Sequence, residues 1–166
     1  MLVWIVERFM NKKPSYSFLV IFLLSSFVNA SEQTANNAEG GKTKFFETHS
    51  ELLPVVTVAD MFFGCNLERK IDNKPYLIKE LVTVMSREEL SQKLITCLGT
   101  DGIKSSKAMD FGLVGCFHDQ LLHLPIAEQK SKMALVLKAI QHLSLEEKQQ
   151  SLTRCINEQT IHYIKY

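Results

Sequence analysis

Four cysteines carry the strongest chemical signal in the chain: Cys65, Cys97, Cys116 and Cys155. Thiols can attack as nucleophiles, ligate metals or pair as disulfides, and spacing helps decide among these. No C-x-x-C or H-x-x-x-H pair is present, so a zinc site has little support. A nucleophile needs a base beside it, and the best arrangement on offer is Cys116 with His118 and Asp119. An even cysteine count behind an export signal instead implies disulfides, because the compartment is oxidising.

The remaining residues of suitable type are weaker candidates. Of the five histidines, His49, His118, His123, His142 and His162, the pair His118 and His123 is spaced i, i+5 and does not share a helix face. The carboxylate pairs Glu88-Glu89 and Glu146-Glu147 have the composition for acid/base work. They fall in the first turns of predicted helices, where capping and the helix dipole account for them. The stretch Gly99 to Ser105 lacks phosphate-loop spacing and follows no strand, so it reads as a turn. No catalytic, cofactor-binding or metal-binding residue is assigned, no cofactor is expected, and the chain reads as a non-enzyme.

The elements that hold the cysteines are repeated. The stretch Ser86 to Cys97 recurs as Ser144 to Cys155, with Ser86/Ser144, Glu88/Glu146, Glu89/Glu147, Gln92/Gln150, Leu94/Leu152 and Cys97/Cys155 identical at one offset. Serine followed by glutamate at the third position is a capping box. From Leu90 the residues Leu94, Cys97 and Leu98 recur on one helical face, as Leu152, Cys155 and Ile156 do in the second copy. Gly64-Cys65 and Gly115-Cys116 precede the copies, and Leu77 to Met85 match Leu135 to Leu143 in pattern. A tandem duplication explains these correspondences. It also argues against catalysis at Cys116, since its counterpart Cys65 is followed two places on by Leu67 rather than a base.

The expected fold is all-α, two tandem three-helix units related by an approximate pseudo-twofold axis and stapled by disulfides. Repeat 1 covers about residues 57–99 and repeat 2 about 106–164, within a helical domain of residues 45–166. The six expected helices begin near Val58 (with Thr57 and Asp60 in capping positions), Pro75, Ser86, Ser106, Pro125 and Leu145. Met133, Val136, Leu137, Ile140 and Leu143 form the expected inner face of the fifth. Phe45, Phe46, Leu52 and Leu53 are expected to dock a short turn on the core, and Met and Phe side chains to fill it or line a cavity. Four cysteines allow three pairings, and all three suit the pseudosymmetry. An ancestral unit with two cysteines most simply bridges them within itself, which favours Cys65–Cys97 and Cys116–Cys155. Each such loop contributes roughly 3–4 kcal/mol in the chain-entropy account.

Residues 1–30 read as a signal peptide. Lys12 and Lys13 precede an apolar run from Phe18 to Val28, and Val28-Asn29-Ala30 has small residues at −3 and −1 of a cleavage site. The run is shorter than the about 20 residues a membrane span needs. Met10 is an alternative start to Met1, and Ser31 in place of cysteine gives no lipidation signal. Residues 31–44 are polar and read as a flexible tail. Cleavage would change the net charge from +1 to −1, which gives no electrostatic ground for nucleic acid or an anionic membrane as partner. The expectation is a periplasmic or secreted, non-enzymatic interaction protein of the bacterial cell envelope, of the inhibitor, immunity or assembly accessory type, whose partner is another protein. The alternative is a carrier of a small apolar ligand held between the two helical units.

Overall fold

The computed structural model describes residues 35–165; the expected signal peptide and residues 31–34 lie outside the described residues. The described chain is all-helical, with six helices and no strand: α1 (Ala35–Arg69), α2 (Ile78–Thr83), α3 (Arg87–Leu98), α4 (Ser106–Leu121), α5 (Ile126–Gln141) and α6 (Leu145–Lys165).

Helix α1 is far longer than its periodicity predicts. Thr57 and Asp60 do not cap it: the Thr57 hydroxyl donates to the carbonyl of Leu53 at 2.8 Å, and Asp60 is wholly buried. The cause is tertiary. Val55 and Val56 enter the same core as Met61 and Phe62, with Leu52 and Leu53 packed against it, so burial carries the helix upstream of any cap. Pro54 inside it forfeits one backbone bond without ending it. Once such a nucleus exists, each added residue gains a hydrogen bond, and the helix continues through residues 35–44, where the composition predicts a tail. The side chains of Phe45 and Phe46 lie outside the described ones. The segment Glu47–Arg69 is long and apolar enough to cross a membrane, and more than half of its apolar stretch is buried inside the fold.

The end of α1 anchors the 70–77 loop and the C-terminus of α3. Arg69 donates to the carbonyls of Cys97 and Leu98 and pairs with Asp101, so a side chain of α1 caps the C-terminus of α3. Gly99 then turns the chain at φ 60°, which disfavours a side chain. Residues 70–77 wrap around Asp72, which leaves only six residues for α2, fewer than the Pro75 to Met85 helix expected. Asp72 exchanges backbone bonds with the Asn66 side chain (2.7 and 3.0 Å), and its carboxylate accepts from Lys74 N, Tyr76 Oη and Lys93 Nζ.

The repeated capping stretches fold as their chemistry dictates. Ser86 Oγ accepts from Glu89 N at 3.2 Å and Ser144 Oγ from Glu147 N at 3.3 Å. In the second copy the box closes, since Ser144 N and Oγ each donate to the Glu147 carboxylate at 2.8 Å. The backbone bond from Ser144, then its hydroxyl, holds the Glu147 carboxyl below its usual range. Ser144→Ala is therefore expected to destabilise by about 1–2 kcal/mol and Ser86→Ala by about 1 kcal/mol or less, read by urea unfolding at neutral pH. The Glu147 contribution is present above the unfolded carboxyl value and is lost as pH falls through the lowered one, so the gap between the two variants narrows in acid.

Helix α4, capped by Ser105 through Ala108 N at 3.0 Å, is buried on most sides and forms its most extensive interface with α1. Their backbones touch at two glycines. A Cβ on Gly64 would lie 2.9 Å from Phe111 Cα, and one on Gly115 would lie 2.7 Å from Asp60 Cα. Disulfides flank this crossing: Cys65–Cys97 joins α1 to α3, and Cys116–Cys155 joins α4 to α6, each with Cα atoms 6.2 Å apart. Helix α5 packs on α4 through Met133, Val136 and Ile140. Leu137, expected on that inner face, is 46% exposed and Leu135 is 67% exposed.

Candidate functional site

With all four cysteines bridged, neither a thiolate nucleophile nor a thiolate metal ligand is available among them. His118 does not activate Cys116. Its ring packs against Phe63 with centroids 4.6 Å apart, and its buried Nδ1 has no hydrogen-bond partner. Burial pushes its pKa below the usual histidine value, with the Asp119 charge opposing the shift. No group of three His, Cys, Asp or Glu side chains suited to a metal ion occurs among the described residues. Glu89 and Glu147 take part in the helix caps of α3 and α6, and Gly99 to Ser105 forms the turn between α3 and α4.

Two polar clusters remain, and the sequence pattern singled out neither. The first crosses α1, α4 and α6. Gln159 Nε2 donates to Asp119 Oδ2 at 3.0 Å and to Asp60 Oδ1 at 3.3 Å, and Tyr163 Oη donates to Asp119 Oδ2 at 2.9 Å. Asp60, Gln159 and Thr160 are buried, and Asp60 Oδ2, Gln159 Oε1 and Thr160 Oγ1 make no hydrogen bond. Desolvation raises the Asp60 pKa well above the ordinary carboxylate value, against the Gln159 bond and with help from Asp119. Burial, then the Asp119 charge, likewise raises the Tyr163 pKa. A lone acid in the apolar run Val55 to Phe63 was the available signal, because an aspartate there must enter the core or break the helix face.

The second cluster surrounds Asp72. Phe62, Ile71, Asp72, Glu89, Lys93 and Thr96 line an open groove of about 410 Å³ between the 70–77 loop and α3. Hydrogen bonds from Tyr76, then Lys93 and Lys74 N, hold the Asp72 carboxyl well below its usual range. The Lys93 ammonium also lies 5.9 Å from the Phe62 ring centre and 5.7 Å from that of Tyr76. Its charge is thus already shared among a carboxylate and two aromatic faces, and the cluster has the features of a clamp on the loop.

A third polar contact is structural. Lys148 Nζ, on the buried side of α6, pairs with Asp110 at 2.7 Å and donates to Ser106 Oγ at 2.9 Å. Lys148→Ala should cost about 2–3 kcal/mol by leaving Asp110 partly buried without its cation, and Asp110→Asn in that background should recover part of the loss in urea unfolding.

Comparison with family models, with curated proteins and with solved structures finds no match to this chain.

Proposed function

We propose that this protein is an exported, non-enzymatic interaction protein, built from a duplicated three-helix unit and acting through α5. The observation that carries the reading is the exposure of α5: Ile140 is its only buried residue, while Ile126 and Leu137 are 71% and 46% exposed. Those two lie three helical turns apart on one line, the spacing of anchors that seat a helix against another surface. Two disulfides fit an oxidising periplasmic or extracellular setting. The duplication has support from the α1–α4 crossing. Gly64 meets Phe111 and Gly115 meets Asp60, and one 51-residue shift relates the two contacts with the roles exchanged. Such reciprocity is the mark of an isologous contact.

The reading as a carrier of an apolar ligand has less support, since the groove of about 410 Å³ lies beside α3 and contains the Asp72–Lys93 pair. Native mass spectrometry on protein purified from its own host, run with and without Ile126→Asp/Leu137→Asp, separates the two readings. A co-purifying polypeptide lost in the variant supports the interaction protein. A bound lipid retained in both forms rejects it. Val84→Asp, at a site 80% exposed on the other half of the chain, should leave the complex intact.

A further inference from the structure

Asp60 and Asp119 are two carboxylates that share one amide donor, Gln159 Nε2, at the junction of α1, α4 and α6. Among the described ion pairs, none includes either residue. The titratable groups that interact with Asp60 are the Asp119 carboxylate of α4 and the Tyr163 phenol of α6, and His118 of α4 lies beside Asp119. Asp60 has Gln159 Nε2 as its one described hydrogen-bond donor and feels the repulsion of the Asp119 carboxylate, and burying an unpaired charge is costly. A proton on one of the two removes that cost. Asp60 is the one with no exposed surface and with an oxygen that lacks any partner, whereas Asp119 also receives the Tyr163 hydroxyl.

The position of this junction on α6 gives the proton a mechanical consequence. Up to Cys155, α6 is fastened by the disulfide to Cys116, by buried Leu152 and by Lys148. Beyond Cys155 the remaining residues are held by Ile156, Gln159, Thr160 and Tyr163, three of which belong to the orphan-rich polar seam or border it. We propose that the C-terminal end of α6, residues 156–165, is a proton-operated latch: neutral Asp60 holds it shut, and ionised Asp60 releases it.

The sign follows from burial. The closed form binds the proton more tightly than the open form, so closure is favoured on the acid side and lost as pH rises through the raised Asp60 value. The latch thus tightens in mild acid. Opening is a local event, because the disulfide keeps the first half of α6 in place while its end detaches.

Hydrogen exchange of the oxidised full chain tests this, with backbone protection compared at about pH 5 and about pH 9 after correction for intrinsic exchange rates. Protection of residues 156–165 should fall at least about tenfold between the two, the effect of one unit of carboxyl titration, while α3 stays unchanged. In Asp60→Asn, which keeps the shape and neutrality of the protonated acid, protection should no longer depend on pH. Flat protection in the wild type overturns the proposal. So does an unchanged fall in the Asn variant, since a group other than Asp60 would then be the titrating one. If the variant fails to fold, carboxyl carbon NMR of the wild type decides. A transition for Asp60 above about pH 6 supports the latch, and a lower one, towards the ordinary value of about 4, rejects it.

Discussion

Complete reduction is expected to remove roughly 7–8 kcal/mol from the stability of the folded chain, with each bridge contributing about 4 kcal/mol. The magnitude comes from loops spanning 32 and 39 residues in sequence, whose closure entropy the unfolded chain regains when the bonds break. That loss is at least half of the roughly 5–15 kcal/mol that holds a typical domain together. At about 3 °C per kcal/mol, each bridge corresponds to a melting temperature change on the order of 10 °C. Calorimetry of the oxidised protein, of Cys65→Ala/Cys97→Ala and of Cys116→Ala/Cys155→Ala checks it. The second variant should lose slightly more because its loop is longer, and each should keep its other bridge in non-reducing peptide mapping. A drop of less than about 3 °C on full reduction would contradict this account of the core.

Gly64→Ala and Gly115→Ala are expected to be the most damaging of the glycine-to-alanine changes at Gly64, Gly99, Gly102, Gly112 and Gly115, at about 3 kcal/mol or more apiece. At both positions the new carbon would meet the backbone of the opposing helix, Phe111 in one case and Asp60 in the other, and backbone cannot rotate aside as a side chain can. The double variant should cost less than the sum, because the first substitution already forces α1 and α4 apart. Gly102→Ala is the control. Its added carbon would meet nothing within 4 Å, so its effect should stay within about 0.5 kcal/mol by the same unfolding measurement. Gly112→Ala should be intermediate, since the nearest atom is the flexible end of Leu152 at 2.8 Å.

Features encoded locally were legible in the sequence. Ser86 with Glu89 and Ser144 with Glu147 identify helix starts because a cap needs only residues three apart, and the structure places α3 and α6 accordingly. The cysteine pairing was legible through the repeat, since Cys97 and Cys155 occupy equivalent buried faces of those helices. What failed depended on distant packing. Thr57 and Asp60 resemble a cap when only their neighbours are considered; in the fold, Asp60 meets Gln159, which lies 99 residues away. Leu137 belongs to a plausible apolar face, but α5 packs through Met133, Val136 and Ile140 and leaves it outside. The Asp60–Gln159–Asp119 seam shows the same limit. Its one visible trace was an acid in an apolar run, and periodicity carries no information about which helix supplies its partner.

Neither disulfide crosses from the first half of the described chain to the second: one closes between residues 65 and 97, the other between 116 and 155. The turn at residues 99–105 is thus the sole covalent tie between two independently cross-linked loops, and noncovalent contacts do the rest, the α1–α4 crossing at Gly64 and Gly115 and the Asp60–Gln159 bond from α1 to α6 among them. In polymer terms the molecule is two separate rings on one string. A cut in that turn yields two fragments, each already closed by its own cross-link, and the same arrangement permits exchange of halves between neighbouring copies without breaking a sulfur bond.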